Sequence, residues 1–178
     1  MQPSDVQRAY SRMSSRYIDL FASGSHEHVD DLRLIVRHLG GLSGTVADLG
    51  CGPGHLTGLL QSTGANAHGI DLVPEFIDHA RRAQPSARSI SVPSWTCLRG
   101  RDGRRCLAWY SLIHLDAQEL AAALTEIRRV LGSGRPLVVG FFVGEVSDTF
   151  AHKVITARRW PIDAMAAHLE AAGFAEVE

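Results

Sequence analysis

Four residues in the first third of the chain have the types and spacing to hold a small anionic molecule. They are Asp48, Gly50, Gly52 and Gly54, inside the run VADLGCGPGHLTGLL. An apolar strand there runs into a glycine turn, and a helix starts at once. Glycine lacks a Cβ, so the backbone of such a turn can come close to a ligand. The helix behind it offers free N–H groups and the positive end of its dipole, which suits a carboxylate or phosphate. Asp71 closes the next strand, HGIDL, seventeen residues after Gly54. In a strand–turn–helix–strand unit, an acid at that place accepts hydrogen bonds from two ribose hydroxyls. A nucleoside with a charged tail satisfies both features. Further on, LAWYSLIHLD places Tyr110, Ser111 and His114 after an apolar strand. The unperturbed pKa of a histidine lies near neutrality, and His114 has two readings: a general base, or a ring packed at the mouth of the next helix.

The elements that position these residues follow from periodicity. Residues 5–21 carry Val6, Ala9, Tyr10, Met13, Tyr17, Leu20 and Phe21 at helical spacing. This helix packs on the sheet or lids the cleft. Gly24 breaks the pattern, and a second helix runs through Leu32, Ile35, Val36 and Leu39 to Gly40. His26 and Asp30 lie one helical turn apart, as a metal pair would, but acids favour a first turn, and the segment reads as a solvated helix start. Strands are expected at 45–49 and 67–71, helices at 56–61 and 74–83, and a short strand around Ile90 and Val92. Residues 107–116 read as a strand and loop. Asp116 then caps a helix to Leu131, with Glu119 completing a capping box. PLVVGFFV, 136–143, reads as a buried fifth strand, 144–159 as a loop, and Pro161 as the start of the last helix. Residues 175–178 begin a sixth strand. Strands separated by helices make a parallel, doubly wound sheet, whose ligands bind beyond the C-terminal strand ends.

Composition bounds the function. The chain has 178 residues, 45% hydrophobic and 21% charged, enough for one domain with a core. A net charge of −1 gives no electrostatic case for nucleic acid or a membrane surface. No apolar run is long enough to span a bilayer, and the N-terminus lacks a signal-peptide pattern, so a cytoplasmic protein is expected. Cys51, Cys97 and Cys106 form no CxxC pair, and no metal site is expected.

Asp-x-Gly-x-Gly-x-Gly over 48–54, with Asp71 after the next strand, resembles the class I S-adenosylmethionine-dependent methyltransferases. A dinucleotide fingerprint would need glycine where His55 stands. The resemblance runs from about Tyr10 to the end of the chain. It implies an α/β fold, a three-layer α/β/α Rossmann-like domain over 1–178, with residues 1–42 as N-terminal helices and lid and 43–178 as the core. It implies S-adenosylmethionine as cofactor and S-adenosylhomocysteine as product. Asp48, Gly50, Cys51, Gly52, Gly54, His55 and Leu56 would surround the cofactor's methionine end. Asp71 and Leu72 would meet the ribose, Tyr17 would cover the cleft, and Tyr110 would face the methyl group. His114 and Tyr110 are the catalytic candidates. The acceptor would be a small molecule offering oxygen, nitrogen or carbon, and the protein a monomer or homodimer.

Two features depart from the family. Residues 86–106 hold no acid between Asp78 and Asp102, where the family places one beside the adenine amino group; Trp95 or Thr96 stands there instead. Residues 94–98 and 103–106, read in another frame, can give the family-like Met-Asp-Leu-Pro and Val-Ala-Gly-Val, which raises a reading-frame error as one explanation. The family's seventh, antiparallel strand has no counterpart here. These departures motivate a second reading, a cofactor-binding or vestigial protein with little activity. An NAD-linked oxidoreductase is disfavoured by His55 and by the absence of a recognisable catalytic constellation.

Overall fold

A computed structural model describes residues 3–41, 44–92, 104–131 and 133–178. The expectations for Trp95, Thr96 and residues 94–98 lie outside the described residues. Helices α1 (Pro3–Phe21) and α2 (Val29–Leu39) precede a run of alternating strands and helices. These are β1 (Thr45–Leu49), α3 (His55–Ser62), β2 (Asn66–Asp71), α4 (Pro74–Ala83), β3 (Arg88–Ser91), β4 (Arg105–Trp109), α5 (Ala117–Val130) and β5 (Leu137–Gly140). The five strands form one sheet in the order β3-β2-β1-β4-β5, and every neighbouring pair is parallel. The order reverses between β1 and β4, and the C-terminal ends of those two strands border a crevice.

Strand alternation divides the core into two layers. Val46 and Leu107 face Ile35 and Leu39 of α2 and Leu56 and Leu60 of α3. Ala47, Leu49, Cys106 and Ala108 face the other way, onto Leu120, Leu124 and Ile127 of α5. Asp48 shares the face of Val46, so its carboxylate is driven beneath the start of α3. The expected capping box forms at Asp116, which accepts from Glu119 N–H while Glu119 returns a bond to Asp116 N–H, each at 2.9 Å.

Three expectations need correction. The apolar run 136–143 is not one strand. It breaks after Gly140, and β6 (Phe142–Val143) turns away into a second sheet. Gly140 lies against the Trp109 ring, where an added Cβ would sit 2.8 Å from a ring carbon. The segment 144–159 is not a plain loop. It forms β7 (Asp148–Phe150) and most of β8 (Ala157–Trp160), and the small sheet has the order β6-β8-β7. These strands are too short and too charged to show a period in sequence. They are held by the Asp148–Arg159 ion pair at 3.5 Å and by the Arg159 guanidinium 4.4 Å above the Phe150 ring. Residues 175–178, after α6 (Ile162–Ala171), form no strand. Glu178 instead bonds Arg37 and His38 of α2, at 2.5 and 2.7 Å.

Candidate functional site

The glycine turn is built as its composition requires. Gly50, Gly52 and Gly54 have φ of +75°, +53° and +92°, a region that side chains disfavour. A Cβ on Gly50 would collide with Ser111, which locks β1 against the end of β4. Gly50 and Cys51 N–H both donate to Ile70 O, at 2.7 and 3.1 Å, tying the turn to β2. Gly54 caps α3 without a side chain, so the first turn of that helix keeps open N–H groups.

Asp71 organises the second half of the crevice. One carboxylate oxygen accepts Gly52 N–H at 2.9 Å and the other accepts Val73 N–H at 2.8 Å. Each oxygen retains a second lone pair for a ligand. Burial pushes this carboxyl up to about 6, against the pull of its backbone hydrogen bonds. Asp48 is pushed up to about 6 for the same reason, while the Thr57 hydroxyl donates to it at 2.6 Å. Asp48 thus ties β1 to α3 as well as facing the crevice.

Two adjoining cavities fill this region. The larger, about 580 Å³, is lined by Asp48, Gly50, Cys51, Gly52, His55 and Leu56, and by Tyr17 and Tyr110. The smaller, about 90 Å³, is lined by Gly50, Gly52, Asp71, Leu72, Tyr17, Tyr110 and His114. Every sequence-predicted site residue except Gly54 therefore lines one cavity or the other. Gly54 serves packing instead, because a Cβ there would meet the Ala80 Cβ of α4 at 2.8 Å. A separate groove of about 670 Å³ runs along β5 and α6, away from the glycine turn.

Helix α1 closes the crevice with aromatic rings. Tyr17 lies 5.0 Å from Phe76 of α4 and 5.5 Å from Tyr10, edge-on. The Tyr10 hydroxyl and His114 Nε2 are 2.9 Å apart. His114 Nδ1 lies 2.8 Å from Thr156 O. A carbonyl can only accept, so Nδ1 carries the proton, Nε2 is the lone-pair nitrogen, and Tyr10 donates to it. Burial lowers the His114 pKa and raises that of Tyr10, so a neutral imidazole faces a neutral phenol.

Sequence reasoning passed over Glu27, which it placed in a solvated helix start. Glu27 accepts Trp109 Nε1–H at 2.9 Å and pairs with His55 Nε2 at 3.1 Å, joining the α1–α2 connection to β4 and α3. The hydrogen bond from His55, then that from Trp109, holds its carboxyl below the usual range. Glu27→Ala strands the Trp109 N–H and is expected to cost about 1 kcal/mol, lowering the thermal midpoint by about 2–4 °C. Glu27→Gln is expected to stay near wild type. Its amide oxygen can serve Trp109, and its NH2 can donate to His55 Nε2, because His55 Nδ1 has no partner and is free to carry the proton. A thermal melt of both variants checks this. His28, read with the same segment, caps α2 through its Nδ1. Among the described residues, no group of three or more His, Cys, Asp or Glu side chains could hold a metal ion.

The residues present fit an adenosyl cofactor with a charged tail. The turn lacks side chains where a ligand backbone would approach, and Asp71 has lone pairs to spare. The Ser111 hydroxyl is buried without a partner in the wall of the smaller cavity. Comparison with known proteins agrees. A family model described as a methyltransferase domain matches residues 46–134. A comparison with curated proteins finds no match. One similar solved structure is the 1,6-didemethyltoxoflavin-N1-methyltransferase of Burkholderia thailandensis, with bound 1,6-didemethyltoxoflavin and S-adenosylhomocysteine. It is 22% identical, with a TM-score of 0.78 over 100% of this chain and 82% of that one. A TehB-like S-adenosylmethionine-dependent methyltransferase from Corynebacterium glutamicum is 22% identical, with a TM-score of 0.67 over 93% of this chain and 84% of that one. The glycopeptide N-methyltransferase MtfA, complexed with S-adenosylmethionine, is 16% identical, with a TM-score of 0.66 over 86% of this chain and 79% of that one. At these identities the likeness is one of fold.

Proposed function

The chain belongs to the S-adenosylmethionine-dependent methyltransferases, and on that premise we propose that it methylates an oxygen, nitrogen or carbon of a small molecule. The observation that carries this reading is the meeting of the bare Gly50–Gly52 turn with the Asp71 carboxylate at the mouth of one crevice. When bound, S-adenosylmethionine supplies a methyl group already made electrophilic by a positively charged sulfur.

The protein's own work is to hold an acceptor in line with that methyl and keep water away. The turn and the open first turn of α3 receive the charged tail, with Cys51, His55 and Leu56 around it. Asp71, beside Leu72, accepts from the ribose hydroxyls. Tyr17 covers the crevice from α1. Tyr110 lines both cavities and faces the space where an acceptor must lie. His114 lines only the smaller cavity, behind Tyr10, which lines both. An acceptor proton therefore reaches His114 through Tyr10: the phenol oxygen takes it while passing its own proton to His114 Nε2. Net charge of −1 favours a metabolite over nucleic acid. No helix among the described residues is long and apolar enough to cross a membrane.

Calorimetric titration of the purified chain with S-adenosylhomocysteine and with NAD tests the cofactor reading. Saturable binding of the first and none of the second is expected. Binding of NAD alone would replace this reading with a dehydrogenase. Cofactor binding with no turnover across an acceptor screen would leave a binding protein.

A further inference from the structure

We propose that the small sheet and the β7–β8 loop form the acceptor subsite, and that it takes a planar aromatic molecule bearing an anionic group. This rests on the methyltransferase reading and adds the class of substrate to it.

The lining of the larger cavity includes an aromatic wall of Tyr110, Phe142 and His152 besides the glycine turn. Tyr110 and Phe142 have ring centroids 4.9 Å apart, and the His152 ring is 6.0 Å from Phe142. The wall is braced from behind. Phe150 meets Phe142 edge-on at 5.1 Å, and Arg159, paired with Asp148, covers the outer face of Phe150. Tyr110 has φ of +50°, a rare conformation for a bulky residue. Its N–H is anchored to Gly140 O at 3.0 Å. This conformation ends β4 and turns the ring onto Phe142. Such strain persists only where the surroundings enforce it, and it concentrates at functional sites. Ring faces held in this way favour a flat, polarisable partner.

Charge decides the substituent. Arg16 on α1 and Lys153 on the β7–β8 loop both line the cavity, and neither has an ion-pair partner among the described residues. The acids in the same lining are engaged: Glu27 by Trp109 and His55, Asp48 by Thr57. Arg16 and Lys153 are thus the charged side chains of this lining left without a partner among the described residues, and an anionic acceptor would supply one. The same loop orients His114 through Thr156 O, and Arg158 N–H donates to Ile113 O at 2.8 Å. An acceptor on this wall therefore lies beside the segment that sets the proton path.

The test uses the full chain saturated with S-adenosylhomocysteine. Calorimetry compares kynurenate (planar and anionic) with hydroxyquinoline (planar and neutral) and decalin carboxylate (anionic and not flat). Kynurenate is expected to bind, and the other two about tenfold or more weakly. Phe142→Ala is expected to weaken kynurenate about tenfold and Lys153→Gln about threefold, with S-adenosylhomocysteine affinity retained in both. Equal binding of the three probes, no binding of kynurenate by the cofactor-loaded chain, or an unchanged kynurenate affinity in both variants would overturn the proposal. Failure of S-adenosylhomocysteine itself to bind would sink the methyltransferase reading, and this proposal with it.

Discussion

Asp71→Ala is expected to weaken S-adenosylhomocysteine binding about 100-fold. Two ribose hydroxyls donating to a carboxylate are charge-assisted hydrogen bonds, and losing them together costs about 3 kcal/mol. The substitution also strands Gly52 and Val73 N–H, both satisfied by Asp71 in the native turn. Stability therefore falls too, and a thermal melt must accompany the titration. Asp71→Asn separates the two effects. The side chain keeps its size but has one oxygen, so its NH2 must face one of the two backbone N–H groups. Folded Asp71→Asn with wild-type affinity would remove Asp71 from the cofactor site.

The same carboxylate makes binding depend on pH. Burial raises its pKa to about 6, so it loses its charge on acidification earlier than an ordinary aspartate. Ribose hydroxyls need the ionised form as acceptor, so S-adenosylhomocysteine affinity falls as pH drops through about 6, approaching about tenfold per pH unit below it. Folding responds in the opposite sense. A carboxyl whose pKa is raised in the folded state favours folding when protonated, so its contribution declines as pH rises from about 4 to about 6. Asp48 pulls the same way. The ligand-free protein thus loses stability over the window in which cofactor binding gains.

The turn and acid proposed to hold the cofactor were legible because they lie in short segments. A glycine turn, the strand before it, the helix after it and an acid closing the next strand all fall within 45–71, and local periodicity reveals each. The parallel, doubly wound character of the sheet followed from strand–helix alternation. The proposed acceptor half was opaque for a physical reason. Phe142 meets Tyr110, and Phe150 and His152 meet Phe142, only because the apolar run breaks at Gly140, and that break answers to the Trp109 ring on a neighbouring strand. A contact between residues 109 and 140 leaves no local period. Glu27 was hidden likewise: beside two histidines it reads as solvent-facing, and only the fold brings it to Trp109 and His55. Gly54 shows the converse. It belongs to the motif, yet its missing side chain admits Ala80 rather than a ligand.

His114→Ala is expected to lower kcat about 100-fold while leaving S-adenosylhomocysteine affinity near wild type. Positioned proton acceptors contribute about this much or more, and the hydrogen bonds of His114 go to Tyr10 and Thr156 O rather than to the glycine turn or Asp71. Tyr10→Phe is expected to match it in kcat, because the phenol is the link between the acceptor and His114 Nε2. The readout is S-adenosylhomocysteine release with whichever acceptor turns over best. The pH profile separates catalysis from packing. A base must be neutral to act, and burial holds the His114 pKa below its ordinary 6.5. Wild-type kcat should therefore persist through neutrality and fall on the acid side only below that ordinary value. In His114→Ala that acid limb should vanish along with the rate. The group's stability effect has the same sign: a histidine kept neutral by folding favours the folded state above pH 6.5, and that support is lost as pH falls through its lowered value. A ring that merely packs would behave otherwise. Its removal would lower the melting temperature and weaken cofactor and acceptor together, and it would leave the acid limb of kcat in place.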